Sequence, residues 1–479
     1  MVDEEIRRLT LACYLPGFTG PTPPAWLLDG LAAGVGGIVL FGSNLGAGDR
    51  VAELTAQLRR AAGRPLVLAL DEEGGDVTRL DTVRGSSVPG SAALGHLDDQ
   101  AATAAVFAEI GARLVEAGVT LDLAPVADVN SDPRNPVIGV RSFSSDAGVA
   151  ARQVAAAVRG LQSTGVAACV KHFPGHGATS SDSHHEVATI TSSRAVLAET
   201  ELVPFQAAIE AGTRAVMTGH LLVPALDDQL ATVSRPITTG LLRDELGFDG
   251  AVVTDALEMQ AVAGTIGMVP AFVRALIAGA DAIETGAQDY PELLDELPRA
   301  VQAAVESGAL AYERLVDAAR RTAALAAPGR PDGPRLSGSE RSALAARCLE
   351  IGGTLPRLNR PLVVECRPVN GMASGVLPWS LAEPLVSRCP GAEVRQVDGP
   401  VPVDELVAAA VGRTLVVVVR DPLRHPWQVS ALRVAERAES AVIVDVGWPA
   451  ELPARVPFVR TRGIAPSLLT AAAEVLAGG

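Results

Sequence analysis

The stretch at residues 171–186, KHFPGHGATSSDSHHE, carries the densest group of chemically capable side chains in the sequence. It holds four of the seven histidines, and one proline and two glycines in its first half disfavour a regular helix. An apolar run at residues 166–170 leads into it. We therefore predict the end of a buried strand that opens into a polar loop, where catalytic groups concentrate in enzymes.

Two residues of this loop, Asp182 and His184, have the spacing of a catalytic pair. In an extended segment, the side chains of residues two apart lie on the same face. The Asp182 carboxylate can then orient the imidazole of His184 and stabilise its charged form. A histidine held in this way can protonate a leaving oxygen and later deprotonate water. We predict an acid/base pair, with incidental residues of a polar loop as the alternative.

Short apolar runs alternate with Ala-rich helical patterns over about the first 300 residues, which predicts parallel strands joined by crossover helices. We assign eight candidate strands, at residues 9–14, 37–41, 66–70, 119–123, 167–170, 215–218, 251–254 and 282–284. Eight such units favour an α/β fold of the (β/α)8 barrel type. A doubly wound open sheet is the alternative.

The residues that follow these strands favour the barrel, because all carboxyl ends of its strands meet on one face. Ionisable side chains lie at or just after six strand ends: Asp71, Asp122, Asp128, Lys171, His172, His220, Asp255 and Glu284. A carboxylate such as Asp255 or Asp71 in a barrel mouth can attack the anomeric carbon of a sugar or bind its hydroxyl groups. Taken singly, each could equally be a helix N-cap.

The sequence at residues 327–340, APGRPDGPRLSGSE, contains three prolines and three glycines and is typical of a linker. We therefore predict a catalytic barrel at residues 1–326 and a smaller C-terminal α/β domain at residues 341–479. The smaller domain contains strand-like and helical runs but no dense group of polar residues.

Composition narrows the possible partners and compartments. The formal net charge of −15 disfavours nucleic-acid binding, which depends on clustered basic residues. Five scattered cysteines without a CxxC motif indicate a reducing compartment. The acidic N-terminus does not resemble a signal peptide, and no apolar run has the length of a membrane span. We predict a cytoplasmic enzyme without a membrane or nucleic-acid partner; the oligomeric state is left open.

A metal-dependent hydrolase is a competing hypothesis, because several possible ligands lie close together in the sequence. These are His172, His176, Asp182, His184, His185 and His220. Pro174 and Gly175 separate the first two histidines, so that pair cannot lie on one helix face as in an HExxH site.

Together these residues resemble glycoside hydrolase family 3, and within it the exo-β-N-acetylglucosaminidases of peptidoglycan recycling. The resemblance spans about residues 5–325 and is carried by six motifs in order. They are DEEGGDVTRL (71–80), DLAPVADVN (122–130), NPVIGVRSF (135–143), KHFPGHGATSSDSH (171–184), MTGHLLVPALD (217–227) and ELGFDGAVVTDALEM (245–259). The C-terminal domain is similar to that of two-domain Gram-positive members.

The resemblance implies a role for each matching residue. Asp255 would be the nucleophile and His184 the general acid/base, with Asp182 as its partner. The sugar in the site would be held by Asp71, Arg141, Lys171 and His172, with Asp128 and His220 as further substrate-binding residues. Hydrolysis would retain the anomeric configuration through a covalent glycosyl-enzyme. No metal or organic cofactor is implied, and the substrate would be a GlcNAc-containing wall fragment.

Some alternatives stay open within this resemblance. After proton transfer a neutral histidine repels anions less than a carboxylate does, so phosphate could replace water. A broader β-glucosidase is the other alternative within the family. A carbohydrate-binding protein without activity is an alternative outside this class of enzyme. The chain also departs from the family pattern at Asp76, where arginine is usual, at Ala178, and in the HEVA sequence at 185–188. We expect Asp76 to add negative charge near Asp71 and to disturb local ion pairing.

Overall fold

The computed structural model describes residues 2–45, 50–179, 187–330, 333, 335–368 and 377–478. They form two compact units that interleave along the chain. Unit 1 comprises Met1–Glu73, Gln100–Ser131 and Ser144–Arg335, and unit 2 comprises Gly74–Asp99, Asp132–Phe143 and Leu336–Gly479. The sequence analysis predicted each domain and the linker as one continuous range of residues, and those limits stay a prediction.

Unit 1 is a barrel of parallel strands. Its strands are β1 (Tyr14–Leu15), β2 (Gly37–Val39), β3 (Val67–Leu70), β4 (Leu121–Asp122), β5 (Ala167–Phe173), β6 (Ala188–Thr189), β7 (Ala215–Thr218), β8 (Leu221–Leu222), β9 (Ala251–Thr254) and β10 (Ile283–Glu284). Six of them pair in the order β2-β3-β4-β5-β7-β9, β1 pairs with β10, and β6 pairs with β8 outside the barrel.

Two contacts close the barrel. A parallel bridge between Val253 and Ala282 joins β9 to β10. The Val39 N–H donates to the Pro16 carbonyl at 3.0 Å and joins β2 to the end of β1. The eight barrel strands therefore follow one another in chain order, and the predicted (β/α)8 fold is confirmed.

Helices surround the strands of unit 1. They are Glu4–Ala12, Ala25–Ala33, Gly42–Leu45, Arg50–Ala62, Gln100–Glu116, Ala147–Ser163, Arg194–Glu199, Leu202–Glu210, Gln260–Ala263, Met268–Ala278, Leu293–Glu306 and Tyr312–Ala324, with the 3-10 helix Ala231–Val233 and the π-helix Pro236–Glu245. No helix in the described part of the chain is long and apolar enough to cross a membrane.

One predicted strand is wrong. Residues 9–14 were expected to be extended, but Glu4–Ala12 is an α-helix and only Tyr14 of that run belongs to a strand. The Asp3 side chain caps the helix by accepting the N–H groups of Glu5 and Ile6. Such a cap satisfies N–H groups that have no partner in the first turn, and acidic side chains there favour the helix dipole.

Alternate residues of the barrel strands fill its interior. One buried cluster contains Leu15, Val39, Val67, Ala69, Leu121, Leu123, Ala167, Cys169, Ala215, Met217, Ala251, Val253 and Ala282. This pattern follows from the two-residue period of a strand, which sends every second side chain to the same face. The period also determines which residues face inward beyond the apolar core.

Unit 2 contains an α/β sandwich around a six-stranded sheet. Its strands are β11 (Glu350–Gly352), β12 (Leu362–Cys366), β13 (Glu393–Val397), β14 (Leu415–Val419), β15 (Ala441–Asp445) and β16 (Phe458–Arg460), in the order β11-β16-β15-β14-β12-β13, with only β11 antiparallel to its neighbour. The helices are Ser91–Leu97, Gly338–Arg347, Ala382–Val386, Val403–Ala409, Val429–Arg437 and Pro466–Gly478, with the 3-10 helices Gly139–Arg141 and Pro426–Gln428. Apolar clusters cover both sheet faces.

Asp76 lies in unit 2 and is part of a buried ion pair. Its Oδ2 lies 2.7 Å from Nη2 of Arg420, and its Oδ1 accepts the Ile464 N–H at 2.9 Å. The two side chains are 5% and 8% exposed. Burial raises the pKa of Asp76, while the Arg420 charge opposes that rise. The departure from the family pattern at this position is thus matched by an arginine supplied from another part of the chain.

We expect Arg420→Met to destabilise unit 2 by about 3–5 kcal/mol, because it leaves a carboxylate buried without its cation. Asp76→Asn in the same protein should recover most of the loss, since asparagine is neutral and still accepts the Ile464 N–H. Urea unfolding of the three proteins measures this. As the control, Arg437→Met removes a pair whose Asp404 side chain is 90% exposed and should cost less than about 1 kcal/mol. Equal losses in the single and double variants would contradict the pairing.

Candidate active site

Four inward positions just beyond the apolar core carry ionisable side chains. They are Asp71 after β3, Lys171 on β5, Asp255 after β9 and Glu284 at the end of β10. Each lies two residues beyond an inward-facing apolar residue, so it faces the same way. We call these four residues the mouth layer. The sequence had predicted three of them as site residues, and the barrel brings those three to its carboxyl end.

Lys171 is the cation of the mouth layer. Its Nζ lies 2.6 Å from Oδ1 of Asp71 and 2.8 Å from Oε1 of Glu73. The Lys171 and Glu73 side chains are 2% and 3% exposed, while that of Asp71 is 18% exposed. Lys171 is also the only lysine among the 40 basic residues of the chain. A compact ammonium bridges two carboxylates in little space, which a planar guanidinium cannot do in the same way.

Asp255 lies at the start of the loop after β9 and is partly exposed. Its Oδ1 accepts the Ala256 N–H at 2.9 Å, and its own N–H donates to the Thr218 carbonyl at 3.1 Å. The Leu257 N–H donates to the Glu284 carbonyl at 3.0 Å. These backbone contacts tie the loop to the ends of β7 and β10 and hold the Asp255 carboxyl group at the barrel mouth.

His220 supports the same loop from the end of β7. Its Nε2 lies 2.9 Å from the Ala256 carbonyl, and its Nδ1 lies 2.8 Å from Oγ1 of Thr232. A carbonyl only accepts, so Nε2 carries the proton in that contact. The geometry gives His220 a role in positioning the peptide that follows Asp255. Its predicted contact with the substrate stays a prediction.

Asp128 is fully buried and organises the start of the histidine loop. Its Oδ2 lies 2.7 Å from Nδ1 of His172, and its Oδ1 accepts the N–H groups of His172 and His176 at 3.2 and 2.7 Å. Burial alone would raise the pKa of Asp128, but the charges and hydrogen bonds of the two histidines outweigh it and lower the pKa. The predicted substrate-binding roles of Asp128 and His172 stay predictions.

Glu201, which directly precedes the helix Leu202–Glu210, packs against this loop. A Cβ atom on Gly175, whose φ is +124°, would lie 2.6 Å from Cβ of Glu201. At Gly177 a Cβ would overlap the Val129 carbonyl. Both glycines therefore allow a backbone approach that other residues would block. Burial, and to a smaller extent the charge of Asp128, raises the pKa of Glu201 to about 8. A hydrogen bond from the Val129 backbone opposes this rise in pKa.

Two functional candidates were missed by sequence reasoning. Glu73 was not singled out, although it contacts Lys171, and Glu284 was noted only as a residue at a strand end. Burial, followed by the charges of Asp255 and Asp71, raises the pKa of Glu284 well above its usual range. The two-residue period of β10 could have identified Glu284, because Ala282 faces the barrel core. The sequence contains no comparable signal for Glu73.

Three predicted site residues, Arg141, Asp182 and His184, stay predictions. Asp182 and His184 lie outside the described residues. Arg141 belongs to unit 2, where its Nη1 donates to the Val137 carbonyl at 3.2 Å. Within the described ranges no three His, Cys, Asp or Glu residues form a group that could hold a metal. Several proposed metal ligands also lie at 180–186, outside those ranges.

A family profile and a solved structure both relate this chain to glycoside hydrolase family 3. The profile of the glycosyl hydrolase family 3 N terminal domain matches residues 24–325. A solved glycoside hydrolase family 3 β-N-acetylglucosaminidase from Paenibacillus sp. str. FPU-7 is 34% identical, with a TM-score of 0.87 over 98% of this chain and 96% of that chain.

Curated relatives agree with the family match. A β-hexosaminidase of Stenotrophomonas maltophilia is 40% identical over 277 residues, which are 56% of this chain and 80% of that protein. The β-hexosaminidase A of Pseudoalteromonas piscicida is 36% identical over 52% of this chain, and the match spans only 45% of that longer protein.

The proton held by Glu201 predicts a pH-dependent difference in stability. Between its usual value near 4.5 and a pKa of about 8, the folded protein binds one proton more than the unfolded chain. Native stability therefore falls through this contribution as pH rises from about 5 to 8. Glu201→Gln carries no such proton. Between pH 5 and pH 8 its free energy of unfolding should therefore rise by up to about 4 kcal/mol relative to that of the native protein.

Thermal unfolding at pH 5 and pH 8 checks this expectation. Glu210→Gln, at the exposed end of the same helix, is the matched control and should follow the native protein. If Glu201→Gln and the control show the same pH dependence as the native protein, Glu201 does not hold this proton.

Proposed function

The chain belongs to glycosyl hydrolase family 3 and is a glycoside hydrolase, and we propose that it is a retaining exo-β-N-acetylglucosaminidase that removes terminal GlcNAc from peptidoglycan fragments. The observation that carries the proposal is the mouth layer, in which the Asp255 carboxyl group and the Asp71–Lys171 pair lie at the same end of the barrel. The β-hexosaminidase relatives and the Paenibacillus structure support the choice of sugar.

In the first chemical step, a carboxylate oxygen of Asp255 attacks the anomeric carbon and forms an ester bond to the sugar. The bond to the leaving oxygen breaks, and His184 gives that oxygen a proton. Asp182 orients His184 and stabilises the imidazolium form. In the second step His184 takes a proton from water, the hydroxide oxygen attacks the same carbon, and Asp255 leaves as a carboxylate. Two inversions give net retention.

The mouth layer supports the charge state that this reaction needs. A nucleophilic carboxylate must be ionised, and the Ala256 N–H at 2.9 Å favours the ionised form of Asp255. The ammonium of Lys171 contacts both Asp71 and Glu73 and offsets one of their two negative charges. Asp71, Lys171, His172 and Arg141 are the proposed sugar-binding residues.

The natural substrate is proposed on the family resemblance. The KHFPGHG and DSH motifs are those of the peptidoglycan-recycling subgroup, whose substrates carry GlcNAc linked to MurNAc or anhydroMurNAc. A cytoplasmic location belongs to the same proposal, since the wall fragments in question are those taken up by the cell.

Release of 4-nitrophenol from its β-GlcNAc glycoside tests the nucleophile. We expect turnover by the native protein and a loss of about a thousandfold or more in Asp255→Asn, because an amide cannot form the ester; this corresponds to about 4 kcal/mol of barrier. Asp228→Asn, an exposed aspartate, should keep native activity. Equal rates for native and Asp255→Asn would show that another residue is the nucleophile. The assay is run with and without a chelator, and loss of native activity in its presence would favour the metal-dependent alternative.

The stereochemistry and the acceptor need a second measurement. Proton NMR during turnover should show the β-anomer of free GlcNAc as the first product, because two inversions at the anomeric carbon retain its configuration. The same experiment with added inorganic phosphate separates hydrolysis from phosphorolysis. A sugar 1-phosphate as the main product would replace the hydrolase proposal with the phosphorylase alternative, whereas the α-anomer would contradict a covalent intermediate.

A further inference from the structure

Glu284 occupies the position beside Asp255 in the mouth layer. The bridge between Val253 and Ala282 sets the register of β9 and β10, and Asp255 and Glu284 each lie two residues further along. Val253 and Ala282 both belong to the interior cluster. By the period of a strand, Glu284 therefore faces the same space as the proposed nucleophile.

The side chain of Glu284 is buried and its Oε2 has no hydrogen-bond partner among the described residues. The residue is 3% exposed. Its backbone is fully engaged, because its N–H donates to Oγ1 of Thr254 at 3.1 Å and its carbonyl accepts the Leu257 N–H. Buried polar atoms without partners are rare, because leaving one unpaired costs stability. Such an atom at the mouth of a sugar-binding barrel is explained by a partner that arrives with the substrate.

The surrounding charges decide which form of the Glu284 carboxyl group is present. Asp255, Asp71 and Glu258 all disfavour a further negative charge there, and burial disfavours it most. Lys171 favours the charge, but its ammonium already contacts Asp71 and Glu73. Together these effects favour the un-ionised acid, which has an O–H group to donate.

We propose that Glu284 is a further substrate-binding residue, whose un-ionised carboxyl group donates a hydrogen bond to a hydroxyl group of the sugar that Asp255 attacks. This inference rests on the proposed function, since it requires a sugar in the barrel mouth. A neutral donor suits this place because it binds a hydroxyl oxygen without adding charge next to the nucleophile. Glu284 would then contribute to specificity for the terminal sugar, while Lys171 maintains the ionised carboxylates.

Substrates that lack one hydroxyl group identify the contact. The test compares the 4-nitrophenyl β-glycosides of GlcNAc and of its 3-deoxy, 4-deoxy and 6-deoxy forms, using the native protein, Glu284→Gln and Glu284→Met. In the native protein we expect kcat/KM to fall about tenfold for the deoxy sugar that lacks the bound hydroxyl, as for the loss of one hydrogen bond. Glu284→Gln keeps a neutral donor of the same shape and should show the same ratio.

Glu284→Met should cleave the glycoside of that one deoxy sugar and the GlcNAc glycoside with nearly equal kcat/KM. For the other two deoxy glycosides, the ratio of kcat/KM to that for the GlcNAc glycoside should stay as in the native protein. Each ratio compares two substrates on one protein, so a general loss of folding or activity cancels. Ratios that are native for all three deoxy sugars in Glu284→Met would overturn the inference. So would a Glu284→Gln variant that has lost the native ratio, because an ionised Glu284 would then be the active form.

A binding measurement separates an effect on sugar binding from an effect on the rate of the chemical step. Lys171 is the only lysine, so labelling with [13Cε]lysine gives one side-chain signal at the mouth layer. Titration with GlcNAc and with the discriminated deoxy sugar should show about tenfold weaker binding of the latter to the native protein and little difference for Glu284→Met. Equal discrimination by both proteins would contradict the proposal.

Asp445→Asn is the matched control. Asp445 is also a buried acid whose Oδ2 accepts no hydrogen bond, although it lies 3.4 Å from Nε of Arg460. It lies in β15 of unit 2, and its substitution should leave all ratios native. If the native protein neither cleaves nor binds the GlcNAc glycoside, the proposed function fails and this inference with it. Turnover with unchanged ratios in Glu284→Met overturns the inference alone.

Discussion

The contact of Lys171 with Asp71 and Glu73 is the interaction on which the candidate site depends. One buried ammonium contacts two carboxylates at the carboxyl end of the barrel and offsets one of their two negative charges. The cation is shared in this way, and burial together with the charges of Asp255 and Asp71 raises the pKa of Glu284. The state of each acid is thus set by the group as a whole. All of the other residues counted among the 40 lysines and arginines are arginine. The single lysine lies here, where the space between two carboxylates is small.

Loops in each of the two units are held by buried carboxyl groups and close backbone contacts. Asp128 binds the backbone and ring of His172 and the backbone of His176, and Glu201 packs against Gly175. In unit 2, Arg420 and the Ile464 N–H engage Asp76, five residues after Asp71 in the sequence. Buried charges persist only where such partners exist, so these contacts determine where the loops can lie. The C-terminal part of the chain therefore contributes to the fold of the segment that follows the third barrel strand.

Much of the barrel could be predicted because strands with a period of two leave a clear pattern. The runs at 215–218 and 251–254 match β7 and β9 in full, and Asp255 follows directly from the end of β9. The run at 9–14 was assigned wrongly because its apolar residues suit either a strand or a helix face, and the Asp3 cap decides for the helix. Asp76 was expected to disturb ion pairing, but it has a partner 344 residues away that no local pattern indicates.

The amino-acid sequence by itself determined the alternation of strands and helices, the order of the motifs and the presence of Asp71, Lys171 and Asp255 at strand ends. These features are local, since propensity and the period of a strand act over a few residues. Only the tertiary structure decided that Glu73 shares the ammonium of Lys171 and that Arg420 neutralises Asp76. It also decided that Glu284 lies beside Asp255 and that its Oε2 has no hydrogen-bond partner within the described ranges. Those facts depend on which strands become neighbours and on how far each group is removed from water. Both are settled only when distant parts of the chain pack together.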